Sequence, residues 1–284
     1  MKIAITGATG FVGGELVKYF SAQGHEVLKL QRQSVKHSDE RFFDMRSADS
    51  IPPLQGIDAL IHTAFLRYDT VQIPDASDIN IRTTLALEQA CQRARVRFVF
   101  LSTMSAHSQA ISHYGKHKYD IEQQLNLSKS IVFKLGLVIG EKGLFNTIKT
   151  TIQKTNFIPL VGSGVQPIQT VAVSDVCKAI DIVLQKQLTG IYLIGTERVY
   201  TIRDLYATVA AGLGKKPTFV SLPYWLLSLA FKTIELLHIP FNLSNENLLG
   251  LKQLKAFDTK EDIETIGISL IDMQESVHQL LAKK

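Results

Sequence analysis

The chain has 284 residues, of which 45% are hydrophobic and 20% are charged, and its formal net charge is +5. This composition is ordinary for a globular protein with a large core, and the scattered positive charges favour anionic small molecules over a nucleic-acid partner. The two cysteines, Cys91 and Cys177, lie far apart in helix-like segments, which argues against a disulfide framework and for a reducing compartment.

The start of the chain and its apolar stretches bear on localisation. The chain opens with a strand-like run and lacks the basic and apolar regions of a signal peptide. Its longest uncharged apolar stretch, 219–231, contains Pro223 and is shorter than the roughly 20 residues that a membrane-spanning helix needs. We therefore expect a cytoplasmic protein without an integral membrane segment.

Short apolar runs alternate with longer amphipathic segments through the first two thirds of the chain. The sequence predicts strands at 2–6, 26–30, 59–62, 98–101, 130–135 and 190–194, and helices at 12–22, 78–94, 112–127 and 174–184. Such alternation is typical of parallel βαβ units, and near-continuous apolar strands indicate a sheet covered on both faces. The predicted fold class is α/β, a doubly wound parallel sheet of the Rossmann type.

Helical patterns dominate after residue 201. They predict helices at 202–213, 224–238, 245–252 and 270–282, which would form a small mixed, mainly helical lobe at one edge of the sheet. The apolar face of the 224–238 helix is expected to pack against its own domain, with docking on a partner or a membrane surface as the alternative.

The opening segment MKIAITGATGFVGGEL places Gly7, Gly10 and Gly13 three apart, after an apolar strand and before a helix. Glycine lacks a Cβ, so the backbone can turn sharply there and approach a diphosphate closely. The helix that starts near Phe11 would point its free N–H groups and its positive dipole end at that diphosphate. The context predicts a dinucleotide-binding turn, and a tight turn without a ligand is the alternative.

The segment TGATGFVG resembles the opening of the short-chain dehydrogenase/reductase superfamily, in particular its extended and atypical, NAD-dependent epimerase/dehydratase-like branch. Further segments resemble that family in the same order along the chain: FDM with Asp44 and Met45, LIHTAF at 60–65, VFLSTMS and FKLGLVIG. The resemblance implies a nicotinamide dinucleotide with its adenine beside FDM, its ribose and diphosphate beside LIHTAF, and its nicotinamide beside FKLGLVIG. It also gives Asn80 the position of an asparagine that shapes the site from behind.

Tyr114 and Lys118 lie four residues apart in SHYGKHKYDIEQQL, so that on a helix they share a face. A free phenol titrates near pH 10, and a neighbouring ammonium lowers that pKa towards the range of efficient acid–base catalysis. Most such pairs are solvated helix faces, but this one follows a dinucleotide-type turn. Tyr119 and Lys116 do not form the spaced pair and are read as surface residues.

The resemblance implies a hydroxyl at the end of the preceding strand as the third catalytic group. Alignment of this strand with the family by register places Thr103 at that position, with Ser102 and Ser105 as alternatives. Hydroxyls at strand ends are, however, often only turn caps. Two features depart from the family. Met104 and Ser105 replace the acidic pair of the sugar-nucleotide dehydratases, and Tyr114 follows Thr103 after only eleven positions, which shortens a loop that often contacts a nucleotide-sugar.

The cofactor prediction is NADP, with NAD as the alternative. No acid precedes Asp39 in LKLQRQSVKH, where NAD-binding members place the residue that holds the ribose 2′-OH, and Arg32 suits a 2′-phosphate instead. Arg32 could also stack on the adenine without discriminating. The predicted cofactor-binding residues are Gly7, Thr9, Gly10, Phe11, Val12, Gly13, Arg32, Asp44, Met45, Thr63, Ala64, Phe65, Ser102, Tyr114, Lys118, Leu135 and Val138. No metal site is predicted.

These signals together predict an NADP-dependent oxidoreductase or epimerase with Thr103, Tyr114 and Lys118 as catalytic residues. Its small-molecule substrate would be a nucleotide-sugar or a smaller, more hydrophobic carbonyl compound. The alternative is a non-catalytic NADP(H)-binding regulatory or assembly protein. The predicted units are 1–165 for the NAD(P)-binding core, 166–200 for a core strand and helix shared with the substrate lobe, and 201–284 for the lobe itself. Family members often pair through the helices predicted at 78–94 and 112–127, so a homodimer is expected.

Overall fold

A computed structural model of the chain describes residues 1–33, 35–66, 76–227 and 245–282. Within these ranges, the strands that form the central sheet are β1 (Lys2–Thr6), β2 (Glu26–Gln31), β3 (Glu40–Phe42), β4 (Ala59–His62), β5 (Arg97–Thr103), β6 (Ser130–Leu135) and β11 (Gly190–Ile194). The shorter strands are β7 (Leu137–Ile139), β8 (Phe157–Val161), β9 (Pro167–Ile168), β10 (Thr170–Ala172), β12 (Tyr200–Thr201) and β13 (Thr218–Leu222).

The central sheet is parallel throughout, with the strand order β11-β6-β5-β4-β1-β2-β3. The winding direction reverses at β1, which pairs with β2 on one side and β4 on the other. This is the doubly wound Rossmann order, with β11 added beyond β6, and such sheets bind ligands at the carboxyl ends of the strands beside the reversal point. The predicted fold class is confirmed.

Helices cover both faces of the sheet, as its apolar strands require. The described helices are α1 (Phe11–Ala22), α2 (Ala76–Ala94), α3 (His113–Glu122), α4 (Gly143–Lys154), α5 (Val173–Gln185), α6 (Ile202–Gly212), α7 (Asn245–Lys252), α8 (Lys260–Ile266) and α9 (Met273–Ala282). Leu16 and Phe20 of α1 pack with α5 in one apolar core. Leu87 of α2 and Ile121 of α3 belong to a second core on the opposite face. Both cysteines are buried free thiols.

The C-terminal part of the chain builds a third apolar core. Phe145 of α4, Leu205 of α6 and Val277 of α9 lie in it. The Gln169 side chain ties this part to the sheet side, because its Nε2 donates to the Phe257 carbonyl at 2.9 Å and its Oε1 accepts the Phe257 N–H at 2.8 Å. The helical lobe is therefore hydrogen-bonded to the segment between β9 and β10.

The predicted strands at 2–6, 59–62, 130–135 and 190–194 coincide with β1, β4, β6 and β11. The helix predicted at 112–127 is shorter, since α3 ends at Glu122. The elements that the sequence did not predict are β3, β7, β8, β9, β10, β12, β13, α4 and α8. Most are strands of two to five residues, too short to show a period. Residues 228–238 of the predicted 224–238 helix lie outside the described residues. Among the described helices, none is long and apolar enough to cross a membrane.

Candidate active site

The glycine segment forms a tight turn between β1 and α1, at the point where the sheet order reverses. Gly7 has a φ of +66°, which favours glycine, and the Gly10 N–H donates to the Gly7 carbonyl at 2.8 Å. A Cβ on Gly13 would lie 2.2 Å from that carbonyl oxygen and 2.8 Å from the Thr63 Oγ1. Only glycine at position 13 therefore allows the turn to pack this closely against the end of β4.

The outer side of this turn is open, with Thr9 and Gly10 exposed at the start of α1. Unpaired N–H groups at a helix start favour a bound anion. The fit to a dinucleotide diphosphate rests on this open cradle at the start of α1, whose close packing a side chain at position 13 would disrupt. Phe11, the first residue of α1, packs against Gly140, where a Cβ would lie 2.4 Å from its ring. Val12, the next residue of α1, packs against the apolar core.

The predicted adenine end lies at neighbouring strand ends. Arg32 is exposed directly after β2, and Asp44 follows the adjacent strand β3 by two residues. The Asp44 carboxylate accepts the Arg46 N–H at 3.1 Å. Met45 is buried, and its carbonyl accepts the Thr83 hydroxyl at 2.7 Å. The sheet therefore brings Arg32 and Asp44 to one edge.

A buried polar chain fixes the end of β4. The Thr6 Oγ1 lies 2.7 Å from the His62 Nδ1, and the His62 Nε2 lies 3.1 Å from the Thr84 Oγ1. Burial, reinforced by the charge of Lys118, lowers the pKa of His62 to about 3, so this imidazole is neutral. The N–H groups of Thr63 and Ala64 both donate to the Thr6 Oγ1 at 3.2 Å. These hydrogen bonds fix the backbone of residues 63 and 64, which lies next to the glycine turn.

Helix α3 carries the predicted acid–base pair. Its first turn is capped by the Ser112 Oγ, which accepts the Gly115 N–H at 3.2 Å. Tyr114 is 42% exposed and lines a cleft, whereas Lys118, one turn on, is only 3% exposed. The Lys118 Nζ donates to the Leu101 carbonyl of β5 at 2.6 Å. Burial lowers the Lys118 pKa to about 7, although the Glu122 carboxylate opposes the shift.

Thr103 ends β5 and lines the same cleft as Tyr114. Its Oγ1 accepts the Ser105 N–H at 3.2 Å, which also makes it a turn cap. Ser102, by contrast, is buried, and its hydroxyl donates to the Glu122 carboxylate. Leu135 and Val138 both line the cleft, on the strand side of the predicted nicotinamide position.

A buried ion pair supports this arrangement. The Lys134 Nζ lies 2.7 Å from the Glu122 Oε2 and donates to the Ala106 carbonyl at 2.6 Å. Burial raises the pKa of Glu122, and its hydrogen bonds from Lys134 and Ser102 counteract that effect. The pair joins α3 to β6 directly beneath the strand end that carries Thr103.

The cleft has a volume of about 770 Å³, which is in the range of ligand sites. Most of the described residues that line it away from Tyr114 are apolar, and these are Leu137, Leu144, Ile148, Ile168, Ile202, Leu205, Leu251 and Leu254. Among the described lining residues, the basic side chains are His117 and Lys255. Gly143, also in the lining, lies against the Phe11 ring, so the cleft comes close to the start of α1.

The strand order, the glycine cradle at the reversal point and the cleft beside it define an open α/β fold of the Rossmann class. The family model "NAD dependent epimerase/dehydratase family" matches residues 3–195. The chain therefore belongs to the NAD-dependent epimerase/dehydratase family.

Known proteins resemble the chain over almost its whole length. The Arabidopsis thaliana protein "NADH dehydrogenase [ubiquinone] 1 alpha subcomplex subunit 9, mitochondrial" is 25% identical over 97% of this chain and 74% of that relative. The structure of the human epimerase family protein SDR39U1 with NADPH aligns with a TM-score of 0.79 at 15% identity, covering 100% of both chains. The UDP-glucose 4-epimerase of Thermotoga maritima, solved with UDP-glucose, aligns with a TM-score of 0.76 at 19% identity over 99% and 98% of the two chains. These structural likenesses concern the fold.

Sequence reasoning missed three contributors to the site. The i,i+4 spacing of Lys118 and Glu122 could have revealed the second, acidic partner on α3. The pairing of Glu122 with Lys134 could not be read, because it depends on how α3 packs on β6. The apolar wall of the cleft comes mainly from α4, α6 and α7, with Leu137 of β7 and Ile168 of β9 beside them, and the sequence did not predict α4, β7 or β9.

Proposed function

We propose that the protein is an NADP(H)-dependent oxidoreductase or epimerase that acts at a carbonyl or alcohol carbon, with Tyr114 as the general acid–base. The observation that carries this proposal is the convergence of Tyr114 and Thr103 on one cleft, whose lining residue Gly143 lies against Phe11 at the start of α1. Membership of the NAD-dependent epimerase/dehydratase family supports it. Nicotinamide, when bound, would supply or accept the hydride.

Each catalytic side chain has a role that follows from its placement. The Tyr114 phenol would donate its proton to the carbonyl oxygen during reduction and take it back from the alcohol during oxidation. Its exposure to the cleft lets solvent restore that proton. The Lys118 ammonium, one turn away, would favour the phenolate. The Thr103 hydroxyl would hold the substrate oxygen in line with the phenol.

A tyrosine pair on the same helix tests this role. Tyr114→Phe should reduce turnover by about 10²- to 10⁴-fold, the range of a lost general acid, while the affinity for NADPH stays within about threefold. Tyr119→Phe is the matched control and should leave turnover unchanged. Full activity of the Tyr114→Phe protein would end the proposal.

The NADP preference rests on Arg32, which is exposed at the end of β2 where a ribose 2′-substituent would lie. We expect NADPH to bind more tightly than NADH. Arg32→Ala should weaken the binding of NADPH by about tenfold or more and leave the binding of NADH nearly unchanged. The reason is that a guanidinium–phosphate pair contributes on the order of 1.5–3 kcal/mol to the binding free energy. Arg93→Ala, at an exposed position on α2, is the control. Tighter binding of NADH by the wild type would refute the preference.

Two substrate classes follow from different observations. A nucleotide-sugar is suggested by the structural neighbours, one of which was solved with UDP-glucose. The apolar wall of the cleft favours a hydrophobic ketone or aldehyde instead, because a diphosphate is best held by several cationic side chains. NADPH consumption with UDP-glucose and with an aromatic ketone of similar size would separate the two. Catalytic use of the cofactor without net consumption would indicate epimerisation.

A second candidate function is suggested by the Arabidopsis relative, whose name describes a subunit of an NADH dehydrogenase. A non-catalytic member would bind NADPH through the glycine turn and serve assembly or regulation. Tight NADPH binding together with a Tyr114→Phe variant that keeps full biological activity would favour it. The cytoplasmic location and a homodimer through α2 and α3 stay predictions, which fractionation and sedimentation would check.

A further inference from the structure

Phe65 is the aromatic residue at the end of LIHTAF, the segment that the resemblance places beside the ribose and diphosphate of the cofactor. Its ring contacts both members of the acid–base pair. The Lys118 Nζ lies 4.5 Å from the centroid of the Phe65 ring, and the Tyr114 ring meets the same ring edge-on at 5.3 Å between centroids. One phenyl ring therefore joins the ammonium to the phenol, and it also lines the cleft.

The backbone on both sides of Phe65 is held in place. The Ala64 N–H, on one side, donates to the Thr6 Oγ1 at 3.2 Å. On the other side, the fully buried Asn80 side chain makes two 2.9 Å hydrogen bonds to Leu66, accepting its N–H and donating to its carbonyl. Side chains that reach from β1 and α2 thus hold the segment, so the ring is a fixed part of the site rather than a loop tip.

The Lys118 ammonium is enclosed on its remaining sides as well. Its Nζ lies 4.3 Å from the centroid of the Phe100 ring of β5 and donates to the Leu101 carbonyl. The ionisable groups around it are Tyr114 and Glu122 of its own helix, the neutral His62 of β4, and Lys134 of β6, which is paired with Glu122. Phe65 covers the ammonium on a further side, and the same ring contacts Tyr114.

We propose that Phe65 is a positioning residue that keeps water out of the gap between the Lys118 ammonium and the Tyr114 phenol. The inference rests on the proposed function of this pair. The physical reason is that a gap without water has a low dielectric constant. Two charges that interact through a hydrocarbon ring feel each other far more strongly than across water, so a dry gap lets the ammonium act on the phenol. The π face of the ring also attracts the cation directly.

The same enclosure accounts for the low pKa of Lys118, because burial is its largest cause. Opening the gap to water should therefore hydrate the ammonium and return its pKa towards the ordinary value of 10.5. The ammonium would then be more fully charged but better screened from Tyr114. Both changes predict an altered pH dependence of turnover, which a loss of packing alone would not produce.

The experiment measures the Lys118 pKa by NMR of isotope-labelled lysine side chains, with Lys118→Met used to assign the signal. We compare wild type, Phe65→Ala, which opens a cavity, and Phe65→Leu, which keeps the gap filled. The pKa should rise by roughly two pH units in Phe65→Ala and stay near 7 in Phe65→Leu. Phe157→Ala, at a ring 64% exposed on β8, is the matched control and should change nothing. If Phe65→Ala fails to fold, Phe65→Val should show an intermediate rise.

An unchanged Lys118 pKa in Phe65→Ala, or equal rises in Phe65→Ala and Phe65→Leu, would overturn the inference. The pH profile of turnover is the second readout and should move to higher pH in Phe65→Ala, with Phe65→Leu restoring the wild-type profile. A profile that stays in place while the Lys118 pKa rises would also overturn the positioning role. Because the NMR titration needs no turnover, an inactive wild-type protein would count against the proposed function and not against the enclosure of Lys118.

Discussion

Lys118→Met should stabilise the fold near neutral pH, because the wild-type protein buries an ammonium that prefers water. The folded state lowers the Lys118 pKa from 10.5 to about 7. That fall corresponds to about 5 kcal/mol against the charged form, at about 1.4 kcal/mol for each pKa unit. Methionine has a similar length and no charge to desolvate.

The net gain should be smaller than that figure. The substitution removes the hydrogen bond to the Leu101 carbonyl and leaves that buried oxygen without its partner, which is expected to cost about 1–3 kcal/mol. It also removes the contacts of the ammonium with two aromatic rings. We therefore expect Lys118→Met to raise the free energy of unfolding at pH 7 by about 1–3 kcal/mol.

The pH dependence gives the sharper measurement. Between pH 7 and 10.5 the unfolded chain keeps a proton on Lys118 that the folded chain has released, so the stability of the wild type rises with pH in this window. Below pH 7 the penalty is present in full, and above 10.5 it disappears. Urea unfolding between about pH 6 and 9.5 should show the wild type gaining stability relative to Lys118→Met above pH 7, with a slope that approaches about 1.4 kcal/mol per pH unit, so that the deficit of the wild type at pH 7 shrinks as the pH rises.

Subtracting the two proteins cancels every other titrating group that they share. Lys116→Met, on the same helix but exposed, is the matched control and should run parallel to the wild type. Parallel curves for wild type and Lys118→Met would refute the reasoning, because they would mean that Lys118 has the same pKa in the folded and unfolded chain.

Three further predictions test the frame around the site. Gly13→Ala should destabilise the protein by at least about 2 kcal/mol and abolish NADPH binding, because the new Cβ would lie 2.2 Å from the Gly7 oxygen. Gly14→Ala is the control, because the nearest atom there is 3.5 Å away, and it should be neutral or stabilise α1 by about 0.5–1 kcal/mol. Thermal unfolding and cofactor titration compare the two variants. Glu122→Gln should lower the free energy of unfolding by about 3–5 kcal/mol, because it leaves the buried Lys134 ammonium without its charged partner. In urea unfolding, the double variant with Lys134→Met should recover part of that loss, and additive losses would argue against the pairing. Asn80→Ala should lower the free energy of unfolding by about 2 kcal/mol or more, because both Leu66 backbone groups lose their hydrogen bonds. It should also raise the Lys118 pKa in the NMR titration, as Phe65→Ala does. An unchanged Lys118 pKa would show that Asn80 does not hold Phe65 in place.

The sequence predicted the elements with a strong period and a clear boundary signal. The strand β1 and the helix α1 adjoin three spaced glycines, of which Gly13 lies within α1. This local pattern predicted both the strand at which the sheet order reverses and the turn beside it. It also paired Tyr114 with Lys118, because a four-residue spacing on one helix is a local property. Short strands such as β9 and β12, of two residues each, carry no period and arise only from how the lobe meets the sheet.

The surroundings of Lys118 could not be predicted, because they are assembled from three separate parts of the chain. Phe65 comes from the end of β4, Phe100 and Leu101 from β5, and Glu122 from its own helix. The sequence alone predicted Lys118 as a group that lowers the pKa of Tyr114 and binds the cofactor. The structure shows that its own pKa is lowered as well, by burial. A family motif thus names the residue, and the packing around it decides its protonation state.

That distinction bears on what this cleft can do. A Lys118 that titrates near pH 7 is charged in only part of the molecules at neutral pH, so its influence on Tyr114 depends on which state the surroundings favour. The Lys118 ammonium is enclosed by the Phe65 and Phe100 rings and the Leu101 carbonyl, so these neighbours set the balance between its two protonation states. The burial that destabilises the fold at Lys118 therefore also sets how strongly the lysine can favour the Tyr114 phenolate at neutral pH.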